Sequence, residues 1–312
     1  MSVRTLLMVT ASTPDVDGLT RGWRAISDYT GSPPGPVSPT LQALWGTPAG
    51  VHARASVSVV PGIERGYVRF VATDVAKEPE LPQRRVGPYA MEFFSRDVRE
   101  VHARILADGT FIPRTPPIEF DMSAIGSGEA RSFAARDQSG SWFMFTTMLS
   151  VPPPRPLPTV PQLVGPAINM PCARLDRAPV DRLYGEVLGM PVRFEGRLPK
   201  ADAGRVTGLS PEGSFGVLVH FLGDGQMAEH HFHEPDELAP PWRVPEHLKP
   251  GPCVYTFEGD DLAGIAARAA EGGFAVRGPF EVPDDPYRGR SVLVLDGPDD
   301  EKIEIIDAGA PA

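Results

Sequence analysis

GPYAMEFFSRDVREVHARILADG, residues 87–109, returns 164 positions later as GPCVYTFEGDDLAGIAARAAEGG, residues 251–273. Without gaps the two stretches share Gly87/Gly251, Pro88/Pro252, Phe93/Phe257, Asp97/Asp261, Ala103/Ala267, Arg104/Arg268 and Gly109/Gly273. Each begins with an apolar run of strand length, followed by a capping Ser95 or Asp260. Apolar residues then recur at helical spacing: Val98, Val101 and Ile105 in one, Leu262, Ile265 and Ala269 in the other. A glycine closes each helix, where a left-handed residue is needed.

Two further units have the same parts. Residues 4–30 give RTLLMVT and then a helix with Leu19, Trp23 and Ile26. Residues 167–189 give AINMPCA, Asp176 as a cap, a helix with Val180, Leu183, Tyr184 and Val187, and Gly189. Two or three strand-like segments follow every helix. The chain therefore reads as α+β, with four βαβββ modules. Its 36 prolines are densest in SVPPPRPLPTVPQL, residues 150–163, a composition that favours an extended path over helix or central strand. The expected layout is an N-terminal domain over 1–150, a linker over 151–163 and a C-terminal domain over 164–312, with the modules paired within each half.

Composition excludes several classes of function. A net charge of −10 offers no basic face to nucleic acid or anionic membrane. No apolar run reaches membrane-spanning length. No Gly-x-Gly-x-x-Gly follows a strand, so no nucleotide cofactor is expected. Cys172 and Cys253 form no disulfide framework and suit a reducing, cytoplasmic compartment. The partner expected is a small molecule, with a homodimer as a further possibility.

The third unit's LDRAPVDRLYGEVLGMPV resembles the first helix of the vicinal oxygen chelate superfamily, which holds glyoxalases, bleomycin resistance proteins and extradiol dioxygenases. The fourth unit's GPDDEKIEI is similar to that superfamily's closing turn and last strand, although Gly297 and Glu301 stand where Asp and Asn are usual. The resemblance implies modules paired into two cup-shaped sheets, with the site inside a cup and often one divalent metal ion. In metal-using members, first strands bring His or Gln and last strands bring Glu.

Carried over residue by residue, that pattern places Glu304 on the last-strand ligand position. Glu229 is the match in the third unit, with His231 and His233 on its face if the strand is regular and His230 on the other. The metal set implied is Glu304, Glu229 and His231. The first strands near Asn169 and Tyr255 hold no His or Gln. In the N-terminal half Met144 and Arg69 stand on the last-strand positions, and Glu92 is a first-strand carboxylate whose face the pattern leaves open. That half is expected to be metal-free.

Three readings follow. A metal enzyme of lyase, isomerase or dioxygenase type would use the set above on a small apolar or aromatic oxygenated substrate. A metal-free enzyme would use Glu304 as base, with His231 or Tyr255 as acid or donor. A non-catalytic binder would use the cup alone. Asn169 is a candidate substrate contact. Long loops over 115–130 and 233–251 are candidate lids, with Phe120 and Trp242 as apolar plugs.

Overall fold

The structure is a computed structural model that describes residues 3–48, 50–72, 85–150, 161–208, 210, 212–222, 227–239, 248, 251–299 and 301–309. The first module holds β1 (Val3–Thr13), α1 (Val16–Ile26), β2 (Thr30–Gly31), β3 (Gly35–Pro36), α2 (Pro39–Trp45), β4 (Arg54–Val59) and β5 (Tyr67–Ala72). The second holds β6 (Gly87–Pro88), β7 (Ala90–Ser95), α3 (Val98–Asp108), β8 (Phe111–Pro113), β9 (Ile118–Asp121), β10 (Glu129–Asp137) and β11 (Trp142–Met148). The third holds β12 (Val164–Asn169), β13 (Cys172–Arg174), α4 (Ala178–Val180) with a π-helical continuation Asp181–Val187, β14 (Val192–Pro199), α5 (Lys200–Thr207), β15 (Ser214–Phe221) and β16 (Met227–Phe232). The fourth holds β17 (Gly251–Gly259), α6 (Leu262–Glu271), β18 (Val276–Glu281), β19 (Ser291–Asp296) and β20 (Lys302–Asp307).

The two repeated stretches are the first strands and helices of the second and fourth modules. Their helices are capped one or two residues later than the sequence suggests. Asp97 accepts from the Arg99 N–H at 2.9 Å, and Asp261 from the Gly264 N–H at 2.8 Å. A carboxylate satisfies an orphan N–H there and opposes the helix dipole.

Sheet pairing does not follow the two halves. β1 pairs antiparallel with β17, which joins the first module to the fourth in one sheet ordered β18-β19-β20-β17-β1-β5-β4-β2. β7 pairs antiparallel with β12, and β6 with β13, which joins the second module to the third. The expectation of modules paired within 1–150 and within 164–312 is corrected accordingly. Sequence order gives little advantage to neighbours, because doubling a loop costs only about 0.6 kcal/mol more to close. Of the proposed linker, residues 151–160 lie outside the described residues.

The second pairing differs from the first in one respect. Pro171 has no N–H to give a ladder, and the third module's first strand divides there. β12 stays with β7, β11, β10 and β8, whereas β13 joins β14, β15 and β16. The partner strand divides beside it at Tyr89, whose N–H donates to the Pro171 carbonyl at 3.1 Å.

The convex faces pack together through the helices. Trp23 of α1 is fully buried, with its ring centroid 4.5 Å from Phe93 and 6.0 Å from Phe143. Leu6, Val9, Phe257, Ile303 and Ile305 reach the same core from the first-and-fourth sheet. A second tie is ionic. Arg174 of β13 is fully buried and meets Asp299 and Glu301 of the fourth module's closing turn, both at 2.6 Å. Tyr184 also donates to Glu301, at 3.1 Å. Burial pushes the Glu301 carboxyl up, but the Arg174 charge and hydrogen bonds override it and hold it below the ordinary value. Among the described residues no helix is long and apolar enough to cross a membrane.

Removing Arg174 would leave Glu301 buried and unpaired. Arg174→Ala is expected to cost about 3–5 kcal/mol of unfolding free energy, read by denaturant titration. A loss under about 1 kcal/mol, within the range of an exposed pair, would contradict this role for the contact.

Candidate active site in the second cup

Strand alternation aims four positions of the first-and-fourth pair into its cup. In register, Thr10 of β1 lies beside Arg69 of β5, and Thr256 of β17 beside Glu304 of β20. The Glu304 carboxylate is fully buried. It accepts from Arg69 Nη2 at 2.9 Å, Thr256 Oγ1 at 2.6 Å, Tyr287 OH at 2.7 Å and Trp45 Nε1. Arg69 Nε donates to Thr10 Oγ1 at 2.9 Å, and the guanidinium lies 4.7 Å from the Trp45 ring centroid. Burial works against the guanidinium charge, but Glu304 and Tyr287 outweigh it and hold its pKa above the ordinary value. Around these groups Leu41, Leu44 and Trp45 of α2 pack with Val254, Val282, Tyr287, Val294 and Ile306. The chain's own side chains fill the Glu304 end of this cup, whereas further along the same face a cavity of about 630 Å³ is lined by Leu7, Val57, Tyr67, Glu258 and Arg290 among others.

The resemblance places a metal ion among these strands. A guanidinium is already there, paired with the carboxylate that would be the ligand, so the residues do not fit a divalent cation. Glu304 is therefore held as the ion-pair partner of Arg69, rather than free as the metal ligand or general base expected of it. Tyr255 is corrected too. One position from Thr256, it faces the opposite side of β17, and its hydroxyl donates to the Met170 carbonyl within the core.

The second-and-third pair is built differently. On β7, Ala90, Glu92 and Phe94 face the cup, while Met91 and Phe93 face the core. Glu92 lies opposite Asn169 on β12 and beside Met144 on β11. Glu92 accepts from Thr146 Oγ1 at 2.7 Å and from Asn169 Nδ2 at 3.3 Å. The same Asn169 nitrogen donates to Glu229 Oε2 at 2.7 Å. The Glu229 carboxyl meets His231 Nε2 at 2.5 Å, and His231 Nδ1 meets the Tyr89 hydroxyl at 2.9 Å. A continuous polar row thus runs from Thr146 to Tyr89 across the cup floor.

Apolar residues wall the row on both sides. Phe94, Ala167, Phe194, Phe215, Val219 and Met227 lie on one side, and Ala90, Ile118, Trp142, Met144 and Ala173 on the other. Half-buried Phe120 packs on the latter group, in the loop expected as a lid. The 3-10 turn Ser123–Ile125 in that loop packs on β14 of the third module, and α5 touches β9, β10, β14 and β15. These two segments bridge the modules over the cup. Trp242, expected as the other plug, lies outside the described residues.

Burial, and then the negative charge of Glu229 within hydrogen-bonding reach, push the Glu92 carboxyl up to about 8, although Thr146 and Asn169 partly offset them. Two carboxylates so close cannot both ionise cheaply, and the more buried one holds the proton. The Asn169 amide orientation is fixed at its other end, where Oδ1 accepts the Met170 N–H at 2.7 Å. Its nitrogen consequently faces both carboxylates, in the space a cation would need. Among the described residues no group of three or more His, Cys, Asp or Glu is arranged to hold a metal ion. The expected set of Glu304, Glu229 and His231 is not assembled, because Glu304 belongs to the other sheet.

Glu229 and His231 do share a face, with His230 on the opposite one, where it packs against Tyr184 and His220. Asn169 reaches the cup floor. Sequence reasoning missed Tyr89 and Thr146 and left the face of Glu92 open. One signal was present, since the repeat offset carries Glu92 onto Thr256, which also points into a cup.

No family model and no curated protein matches the sequence. Solved structures match its fold. A glyoxalase I mutant from Zea mays aligns with a TM-score of 0.63 at 14% identity, over 98% of this chain and 94% of that one. A Bacillus subtilis protein named as a dioxygenase aligns with a TM-score of 0.60 at 10% identity, over 99% and 86%. The chain has the two-domain vicinal oxygen chelate fold.

Two outcomes follow from the two carboxylates. Arg69→Ala is expected to cost about 3–5 kcal/mol in denaturant titration, whereas Arg69→Met with Glu304→Leu should recover most of that loss. Failure of the double variant to recover would mean the pair does more than satisfy itself. For Glu92, a folded-state pKa above the ordinary 4.5 makes its contribution full below that value and lost as pH rises through about 8. The melting temperature of the native protein should therefore fall by several degrees more than that of Glu92→Gln between pH 5 and pH 8.5. Equal slopes would contradict the assignment.

Proposed function

We propose that the chain is an enzyme that moves protons next to the carbonyl of a small, largely apolar or aromatic oxygenated molecule, as an isomerase or lyase does, in the cup of the second and third modules. The observation that carries this reading is the juxtaposition of Glu92 and Glu229, one holding a proton near neutrality and the other hydrogen-bonded to His231. A carboxyl that keeps its proton beside a second carboxyl joined to an imidazole is an arrangement that can supply an acid and a base at one pH. The fold comparison supports a shared architecture.

In this reading the apolar walls hold the body of the substrate and exclude water, which strengthens each hydrogen bond on the floor. Glu92 gives its proton to the substrate oxygen as charge develops there. Asn169 aligns the two carboxyls and offers an N–H to the same oxygen once Glu92 has moved. The Glu229–His231 end accepts the carbon-bound proton. No step needs a metal ion, and the amide nitrogen between the carboxyls leaves no site for one. In the first-and-fourth cup the Glu304–Arg69 pair, covered by Trp45 and Tyr287, serves as scaffold.

The reading is tested by following carbon-bound hydrogen exchange in D2O by proton NMR, with hydroxyacetone, dihydroxyacetone and 2-hydroxyacetophenone as probes. The native protein should catalyse exchange into at least one, and Glu92→Gln should slow it by about 100-fold or more. Binding of a probe without exchange would make the cup a binding site, in agreement with the non-catalytic alternative.

A further inference from the structure

The polar row reaches a group that the acid–base pair does not require. Tyr89 lies at the break between β6 and β7, only 7% exposed, with its backbone tied to Pro171. Its ring is in the apolar group that includes Met144, Trp142 and Phe120, on the cup side of the sheet. Its hydroxyl meets His231 Nδ1 at 2.9 Å, and the rings of Tyr89 and His231 lie 5.8 Å apart at their centroids. On its other side His231 packs against Phe215, with centroids 4.8 Å apart. These contacts leave the imidazole one orientation.

One tautomer satisfies both of its hydrogen bonds when Glu229 accepts. An ionised carboxylate can only accept, so Nε2 carries the proton toward Glu229. The Nδ1 lone pair then faces the phenol, which donates to it. Glu229 orients His231, and His231 is placed to take a proton from Tyr89. This is the order of roles in a hydroxyl–imidazole–carboxylate triad, with a phenol as the terminal group.

We propose that Tyr89 is a catalytic residue, the group that meets the substrate carbon and removes its proton through His231. The inference rests on the function proposed above and names the atom that works at one end of it. As the phenolic proton passes to His231 Nδ1, the Tyr89 oxygen takes the proton from the carbon beside the carbonyl. The C–H electron pair forms the carbon–carbon double bond of an enol, and the carbonyl oxygen receives the Glu92 proton. His231 becomes an imidazolium paired with Glu229, and Glu92 becomes a carboxylate. The Tyr89–His231 end then delivers a proton to the former carbonyl carbon while the hydroxyl on the adjacent carbon gives its proton to Glu92, which completes an isomerisation in which nothing is oxidised or reduced overall. The substrate class is an α-hydroxy carbonyl compound with an apolar substituent, since the step needs a carbonyl, an adjacent C–H and an exchangeable oxygen.

The experiment compares Tyr89→Phe and His231→Gln with the native protein in the same exchange assay, with circular dichroism and melting curves confirming that each variant folds. Both variants should slow exchange by about 100-fold, and probe binding measured by NMR titration should change less than about threefold by the same reasoning, because the apolar walls are intact. In parallel, side-chain nitrogen NMR of the native protein should show His231 protonated at Nε2, with the Nδ1 signal displaced in Tyr89→Phe. Native-rate exchange by Tyr89→Phe alongside a slow His231→Gln would make His231 the direct base and overturn the proposal while leaving the function. A folded Tyr89→Phe with an unmoved Nδ1 signal would overturn it independently of any substrate. Absence of exchange in the native protein with all three probes would remove the function and this inference together.

Discussion

A carboxylate buried on a cup floor must be matched by donors, by a cation or by a proton, because stranding it without a partner costs several kcal/mol. This chain meets that constraint twice in different ways. Glu304 is matched completely, by Arg69, Thr256, Tyr287 and Trp45. Glu92 is matched only in part, by Thr146 and Asn169, with the Glu229 charge close by, and it holds a proton instead. The first arrangement is rigid and closed. The second leaves a transferable proton in an apolar cup, and the chemistry proposed for the protein follows from that difference.

An N–H group stands among the site strands of both cups. In one it is a guanidinium with a permanent charge, in the other a neutral amide that can only bridge. The guanidinium neutralises its carboxylate and brings the Trp45 and Tyr287 rings over itself, so the carboxylate is closed off from a ligand. The amide neutralises nothing, so the two carboxyls beside it must divide one proton between them. Module pairing is what makes this possible. Each cup takes one module from each half of the sequence, and neither half could build a cup floor of this composition alone.

Much of the fold was legible. The repeat over 87–109 and 251–273 carried the modules, and period-two alternation put Glu229 with His231 and set Glu304 apart from Ile303 and Ile305. The pairing of modules was not legible, because β1, β7, β12 and β17 are all apolar on both faces and any two could have been partners. The face of Glu92 could not be read for the same reason, since buried residues flank it on both sides. Tyr255 was misplaced by one residue of register, which reverses a face. Arg69 was visible at a ligand position, but its meaning depended on Glu304 being in the same sheet. Trp45 lies in α2, a helix with no counterpart in the repeated stretches, so nothing in the repeat pointed to a covered Glu304.

The central claim is that Glu92 holds a proton near neutrality because it is buried with Glu229 beside it. Carboxyl carbon NMR of selectively labelled protein, titrated in the native chain and in Glu229→Gln, measures this directly. Glu92 is predicted to titrate near pH 8 in the native protein and at a lower pH, still above the ordinary carboxylate range, once the neighbouring charge is gone. A Glu92 signal that titrates in the ordinary carboxylate range in both proteins would contradict it.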